Sequence, residues 1–278
     1  MIAGIPLDRP RIMGILNVTP DSFSDGGQFL GAKAAVAHAV QMVADGADVL
    51  DIGGESTRPG AVEVASQEEV ARVVPVISAL RAAGITTPIS VDTRKAAVAQ
   101  AALEAGANMV NDVSALTFDP AMVDVVASAG CAVCLMHAQG LPETMQKNPR
   151  YKDVVSEVID HLAQRTEFAT QSGIAQSSII VDPGIGFGKT MSHNLALLNG
   201  LDRFHALGCP VLLGASRKRF IGTITGADAP QDRLAGSLTV ALHGVRQGVH
   251  MLRVHDTKAT KRAVDMHLAL IKASEYDT

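Results

Sequence analysis

The chain has 278 residues, a net charge of −4 and 47% hydrophobic residues. Because aromatic residues make up only 3% of the chain, we expect Ala, Val, Leu and Ile to pack a large core. The acidic balance and the lack of a basic run argue against a nucleic-acid partner. The sequence contains neither a signal peptide nor an apolar stretch near the roughly 20 residues of a spanning helix, so we expect a cytoplasmic protein without a membrane partner.

Short apolar runs recur eight times along the chain, and each ends on polar residues. In chain order they are IMGILN from Ile12, VLDIG from Val49, ISVDT from Ile89, MVNDV from Met109, AVCLMH from Ala132, IIVDP from Ile179, VLLGAS from Val211 and MLRVHD from Met251. Each run after the first follows one of seven glycines, which are Gly46, Gly84, Gly106, Gly130, Gly173, Gly208 and Gly248. Ala-rich amphipathic stretches precede most of these glycines, so each glycine is predicted to end a helix in the left-handed conformation.

The repeated order of helix, glycine and strand predicts the fold class. Strands of four to six residues that are nearly all apolar are typical of a parallel sheet covered by helices on both faces. Eight such strands match an α/β fold of the (β/α)8 TIM barrel type, for which about 250 residues are typical. No composition shift divides the chain, so we expect one domain over residues 1–278. An open doubly wound sheet is the structural alternative.

Three connections are longer than a turn requires. They run from Val18 to Gly31, from Glu55 to Ser66 and from Ala138 to Arg150, and they follow strands one, two and five. Loops of this length are usually lids or binding loops, and in barrels the active-site loops follow the strands. We therefore expect ligand contacts in these three connections.

Polar residues follow all eight strands. In chain order they include Asn17, Glu55, Ser56, Thr57, Arg58, Asp92, Asn111, Asp112, His137, Asp182, Ser216, Arg217, Lys218, Arg253, His255 and Asp256. A single Asp or Asn at a strand end is often only a helix cap or a turn former. A barrel would bring all of these residues to one rim, which favours a binding site there.

The polar set divides by charge. Asp92, Asn111 and Asp182 offer acceptors suited to a flat heterocycle rich in donors. Four cations suit a phosphate or carboxylate, and they are Arg58, Lys218, Arg253 and His255. Because barrel phosphate sites often follow strands seven and eight, the predicted ligand has a polar ring at one end and phosphate at the other.

Other chemistries fit the motifs less well. The segment DPGIGFGKT has Pro183 where a Walker A motif needs its first glycine, and GASRK is not the GxSxG nucleophile elbow of hydrolases. Lys218 could form a Schiff base, but its position is explained more simply by charge and hydrogen-bond donation. Cys131 and Cys134 lie in an apolar run, three residues apart, where strand geometry points them to opposite faces and predicts two buried thiols.

Eight segments together resemble the signature segments of the dihydropteroate synthase family. They are GILNVTPDSFSDGG from Gly14, DIGGESTRPGA from Asp51, SVDTRK from Ser90, NDVSA from Asn111, MHAQG from Met136, DPGIGFGK from Asp182, GASRKRFIG from Gly214 and RVHD from Arg253. The resemblance covers nearly the whole chain, in order and at the expected strand ends. It implies a TIM-barrel homodimer that uses Mg²⁺ and is a sulfonamide target. The implied reaction joins 4-aminobenzoate to 6-hydroxymethyl-7,8-dihydropterin diphosphate, giving dihydropteroate and diphosphate.

The resemblance also implies roles for individual residues. Asp92, Asn111, Asp182 and Lys218 would hold the pterin ring, in a pocket lined by Met136, Phe187 and Gly214. Asn17 would associate with magnesium, and Thr57, Arg253 and His255 would contact the diphosphate. Phe23, Arg58, Pro59 and Ser216 match positions near the aminobenzoate and the closing loops. Five residues would act in catalysis, namely Asp92, Asp182, Lys218, Arg253 and His255.

These roles predict a dissociative substitution. Magnesium, Arg253 and His255 would stabilise the leaving diphosphate, and Asp92 and Asp182 would favour positive charge on the pterin. The weakly basic arylamine would attack late, without a general base. Two alternatives remain, a methyltetrahydrofolate-binding methyltransferase and a catalytically silent paralogue that binds pterin. The methyltransferase has no need of the diphosphate cations, so the segments STRPGA, SRK and RVHD argue against it.

Overall fold

A computed structural model describes residues 1–19, 27–56, 60–140 and 144–272, with the side chains of 27–32 left aside. Within these ranges, eight strands pair in parallel in the order β6-β5-β4-β3-β2-β1-β8-β7. The strands are β1 (Arg11–Asn17), β2 (Val49–Gly53), β3 (Ile89–Asp92), β4 (Met109–Asp112), β5 (Ala132–Met136), β6 (Ile179–Asp182), β7 (Leu212–Leu213) and β8 (Met251–Val254). A parallel bridge between Val181 and Val211 joins the two outer strands. The sheet therefore closes, which confirms the (β/α)8 barrel over the open sheet.

Helices surround the barrel. They are α1 (Gly27–Ala44), α2 (Ser66–Ala82), α3 (Ala96–Glu104), α4 (Met122–Ala129), α5 (Val154–Gln171), α6 (Met191–Asn199), α7 (Arg219–Thr225), α8 (Leu234–Arg246) and α9 (Thr257–Ile271). The seven glycines before the strands have φ between +59° and +110°, so the predicted left-handed turns are confirmed. No helix in the described ranges is both long enough and apolar enough to cross a bilayer.

Two predicted boundaries differ from the structure. The sequence pattern predicts one helix over 192–208, but α6 ends at Asn199 and a separate 3-10 helix, Leu201–Leu207, follows Gly200. Glycine disfavours a continuous α-helix because it loses more conformational freedom than other residues when its backbone is fixed. The first long connection was predicted to reach Gly31, whereas α1 already begins at Gly27.

Strand alternation gives the barrel interior two layers of different chemistry. Near the start of the strands the interior is apolar and includes Met13, Val49, Met109, Ala132, Cys134, Ile180 and Met251. The N-terminal segment plugs this end, where Ile2 and Ile5 exchange backbone hydrogen bonds of 2.9 and 2.8 Å. The opposite end, at the carboxyl ends of the strands, is therefore where the interior can carry polar groups.

The three cysteines are unpaired thiols. Cys134 is buried inside the barrel, while Cys131 lies just before β5 and is only partly buried. The prediction of two buried thiols is correct for Cys134 and wrong for Cys131. Burial also raises the pKa of Cys131 to about 11, so its thiol is unreactive at neutral pH.

Candidate active site

Alternation along the strands points five polar side chains into the upper layer of the barrel. They are Asp51, Asp92, Asn111, Asp182 and Arg253. Four of them lie two positions after an inward-facing apolar residue of the same strand, and Asp92 pairs in register with Asn111 on the next strand. All except Arg253 are less than 7% exposed. The sequence prediction that residues from separate strands converge on one rim is therefore correct for this group.

Arg253 lies at the centre of the group. Its Nε donates to Asp51 Oδ2 at 2.6 Å and its Nη2 donates to Asp92 Oδ2 at 2.5 Å. Asn111 Nδ2 donates to the same Asp51 oxygen at 3.2 Å. Within the described ranges, Arg253 Nη1 has no hydrogen-bond partner. The predicted division into an acidic half and a cationic half is thus incomplete, because Arg253 lies among the carboxylates.

Burial raises the pKa of both carboxylic acids predicted to bind the ring. The pKa of Asp92 is raised to about 7 by burial, although the Arg253 guanidinium lowers it. The pKa of Asp182 is also raised by burial, and the Gly184 amide and the Lys218 ammonium partly offset this effect. Asp182 Oδ1 accepts from Gly184 N at 2.7 Å. Asp92 can therefore change protonation near neutral pH when a ligand supplies donors.

The wall of the predicted ring pocket combines apolar and cationic groups. Lys218 Nζ lies 4.0 Å from the centre of the Phe187 ring, within range of a cation–π contact. Met136 ends β5 and is buried. Gly214 lies beside the same group, because a Cβ there would be in van der Waals contact with Asp182 Oδ2 at 3.4 Å and Arg253 Cδ at 3.8 Å. A flat ring is the shape that such a lining accommodates.

The loops after β7 and β8 are held to each other. Ser216 Oγ lies 3.1 Å from His255 Nδ1 and also accepts from the His255 backbone N at 3.2 Å. Beside this contact, Arg217 Nε donates to Asp256 Oδ2 at 2.9 Å, and a second guanidinium nitrogen reaches the other carboxylate oxygen. Arg217 adopts a left-handed φ of +57°, which is uncommon for residues other than glycine. This pair therefore fixes Ser216 and Lys218, its chain neighbours, near His255.

Of the remaining predicted site residues, one lies within the described ranges and four lie outside them. Asn17 ends β1 at the same rim and is partly buried. Phe23, Thr57, Arg58 and Pro59 lie outside the described residues, so their predicted roles stay predictions. Across the described ranges, no cluster of three His, Cys, Asp or Glu side chains could hold a metal ion alone.

Sequence reasoning missed Asp51. This carboxylate is fully buried, pairs with Arg253 and leaves Oδ1 without a hydrogen-bond partner among the described residues. The signal was present in VLDIG, because Asp51 is the one charged residue inside an otherwise apolar strand. A charge in such a position is expected only where a partner meets it.

Comparison with known proteins identifies relatives. The model of a family described as pterin binding enzymes matches residues 13–255. A dihydropteroate synthase of Escherichia coli is 45% identical over 98% of this chain and 95% of its own length. A Xanthomonas albilineans dihydropteroate synthase solved with 4-aminobenzoic acid is 48% identical, with a TM-score of 0.91 over 96% of this chain and 95% of that one. A structure of that enzyme with 7,8-dihydropteroate is 46% identical, with a TM-score of 0.88 and 96% of each chain covered.

The buried pairing predicts a stability change that depends on pH. Replacing Arg253 with Met should leave Asp51 and Asp92 unpaired and lower the free energy of unfolding by about 3 kcal/mol at pH 8. Without the guanidinium, the folded-state pKa of Asp92 should rise above 7, so the deficit grows between pH 7 and 9 and is smaller at pH 6. Urea unfolding of both proteins at pH 6, 7, 8 and 9 measures this difference in the free energy of unfolding.

Arg262→Met, at an exposed position on α9, is the matched control and should change little at any pH. A deficit of the same size at pH 6 and pH 9 would show that lost packing, rather than unpaired charge, explains the Arg253 result.

Proposed function

This chain belongs to the pterin-binding enzymes and, among them, to the dihydropteroate synthases, transferases of folate biosynthesis; from this premise we propose how its barrel mouth performs the condensation. The substrates are 4-aminobenzoate and (7,8-dihydropterin-6-yl)methyl diphosphate, and the products are 7,8-dihydropteroate and diphosphate. The observation that carries the mechanism is the buried group of Asp92, Asn111, Asp182 and Arg253 at the floor of the site.

Ring recognition uses the acceptors of this floor. A dihydropterin ring presents an amino group and ring N–H groups along its edge, and Asp92 and Asp182 are buried carboxylic acids with raised pKa values. Asp92 Oδ1 has no hydrogen-bond partner among the described residues. Donors from the ring would satisfy this oxygen and stabilise the ionised form of Asp92. Met136 and Phe187 would cover the faces of the ring, with Lys218 against Phe187.

Departure of the diphosphate develops charge of both signs. Negative charge grows on the leaving oxygen, where Arg253 Nη1 and the imidazole of His255 can donate hydrogen bonds, and Thr57 is proposed to assist. Positive charge spreads from the methylene into the reduced ring, next to the carboxylates of Asp92 and Asp182. Arg253 forms an ion pair with Asp92, so the same guanidinium would lie between the negative leaving oxygen and the carboxylate beside the positive ring. The amine of 4-aminobenzoate attacks late, and we propose that Ser216, Phe23, Arg58 and Pro59 lie near it.

The residues fit a magnesium ion bound mainly through the substrate. Asn17 offers one amide oxygen at the rim, and Mg²⁺ in phosphate sites typically takes one or two protein ligands together with phosphate oxygens and water. When bound, Mg²⁺ would supply positive charge to the diphosphate. Asn17 would hold it at the end of β1, on the strand between β2 and β8.

The reaction is tested by measuring diphosphate release from the dihydropterin diphosphate with Mg²⁺, with and without 4-aminobenzoate, while following dihydropteroate. We expect product that requires both the amine and Mg²⁺. Asp92→Asn should lower turnover by about 100-fold, because it removes the charge beside the reacting ring. Asp124→Asn, at an exposed position on α4, is the control and should leave turnover unchanged. Binding of the dihydropterin diphosphate without product would instead identify a silent paralogue.

The raised pKa of Asp92 predicts the pH profile. The ionised carboxylate accepts hydrogen bonds from the ring and is formed above the pKa of about 7. For the wild type, kcat/KM for the dihydropterin diphosphate should therefore rise with pH below about 7 and level off above it. Steady-state kinetics from pH 5.5 to 9 measures this profile. If the wild-type profile is flat between pH 6 and 8, ionisation of Asp92 does not control binding.

Exposed apolar side chains support a homodimer. Met266, Leu270 and Ile271 on α9 are 58, 65 and 63% exposed, and Ile224 on α7 is 55% exposed. Met266 and Leu270 are four residues apart on α9, so they lie on one face of this helix. Large exposed apolar patches usually mark interfaces. Leu270→Glu should convert a dimer to a monomer in sedimentation velocity. Val40→Glu on α1 is the control and should remain dimeric. A wild-type monomer would refute the dimer.

A further inference from the structure

A buried lysine lies just behind the wall of the ring pocket. Lys189 is 3% exposed, and its Nζ lies 2.9 Å from His137 Nδ1, 3.2 Å from the His137 carbonyl and 2.9 Å from the Phe187 carbonyl. Burial, with Lys189 as a further cause, lowers the pKa of His137 to about 2, so its ring stays neutral and Nδ1 accepts from the ammonium. The mechanism above gives Lys189 no role.

These three contacts join two separate elements of the pocket. His137 directly follows Met136 at the end of β5, whereas Phe187 belongs to the loop after β6. Lys189 is therefore the side chain through which the loop that carries Phe187 is hydrogen-bonded to the end of the strand that carries Met136. Both of these residues are proposed to cover the dihydropterin ring.

Close packing makes this connection sensitive to small changes. A Cβ at Gly184 would lie 1.9 Å from the His137 carbonyl oxygen, and a Cβ at Gly188 would lie 2.5 Å from the Gln139 carbonyl oxygen. The loop backbone thus lies directly against the end of β5, with no side chain between them. On the other side, the Tyr151 hydroxyl donates to the Gly188 carbonyl at 2.9 Å. The Lys189 hydrogen bonds, together with the one from His137 N to the Asp182 carbonyl at 3.0 Å, therefore hold the loop at this spacing from the strand.

A buried ammonium is held here at a cost in solvation. Burial lowers the pKa of Lys189 to about 7, although the nearby Asp182 carboxylate raises it. An apolar residue of the same length would avoid this cost but could not donate to three acceptors. The presence of a lysine at position 189 is thus better explained by its hydrogen bonds to His137 and to the Phe187 carbonyl than by packing.

We infer that Lys189 is a positioning residue for the dihydropterin pocket, which sets the distance between Phe187 and Met136 through His137 and the loop backbone. This inference rests on the proposed function, because it assumes that the pocket binds the dihydropterin ring. Lys189 acts through other residues and does not itself need to touch the substrate.

The test compares binding of the dihydropterin diphosphate to Lys189→Met and to the wild type by calorimetry, with Mg²⁺ and without 4-aminobenzoate. The methionine keeps the length of the side chain and removes its donors. We expect Kd for the dihydropterin diphosphate to rise about tenfold or more, with the KM for 4-aminobenzoate within about twofold of wild type. Lys152→Met, at an exposed position before α5, is the matched control and should bind like the wild type.

A double-mutant cycle separates positioning from general destabilisation. His137→Leu removes one of the three acceptors, so alone it should raise Kd for the same ligand by about threefold to tenfold. Combined with Lys189→Met it should add little, because the two residues act through one contact. If Lys189→Met does not fold, the His137→Leu result still decides the inference.

Unchanged affinity in folded Lys189→Met, or fully additive effects in the cycle, would overturn the inference. Equal losses for both substrates would overturn it as well. A wild type that binds the dihydropterin diphosphate but makes no dihydropteroate would refute the proposed function alone, since the binding comparison remains valid.

Discussion

The site depends on one partly buried guanidinium. Arg253 enters the barrel from β8 and pairs with Asp51 from β2 and Asp92 from β3. Burial drives Asp92 towards its neutral form, as its raised pKa indicates, and the Arg253 guanidinium opposes this effect. The guanidinium allows an acceptor-rich floor to exist inside an apolar barrel. We propose that the same guanidinium also meets the diphosphate, so that recognition of the ring and of the diphosphate would share a single side chain.

The barrel makes this arrangement possible because its two interior layers differ. The lower layer, closed by the N-terminal residues Ile2 and Ile5, is apolar and stabilises the fold without contacting the site. The upper layer faces the loops and carries the charges. A buried ion cluster is a weak source of stability and is often costly, so we attribute its presence to ligand binding at this rim. Stability and chemistry are therefore placed at opposite ends of the same strands.

Much of this could be predicted from sequence. The glycines before each strand and the apolar runs predicted a closed parallel barrel, and polar strand ends predicted its active rim. The pairing of Arg253 could not be read in the same way, because a residue at a strand end can point either to the rim or inward. Strand alternation resolves this point, since Arg253 lies two residues after the inward Met251. Asp51 was missed because an apolar run was treated as uniform. The contacts of Lys189 depend on loop packing between distant residues, for which sequence spacing gives no signal.

We propose that the bond to diphosphate breaks before the amine attacks. Positional isotope exchange tests it most directly, with ¹⁸O placed in the bridging oxygen between the pterin methylene and the diphosphate. In the presence of Mg²⁺ and without 4-aminobenzoate, we expect ¹⁸O to move into non-bridging positions of the recovered substrate. The reason is that the pterin cation and diphosphate form and recombine. Complete retention of ¹⁸O in the bridge, by enzyme that makes dihydropteroate once the amine is added, would contradict it.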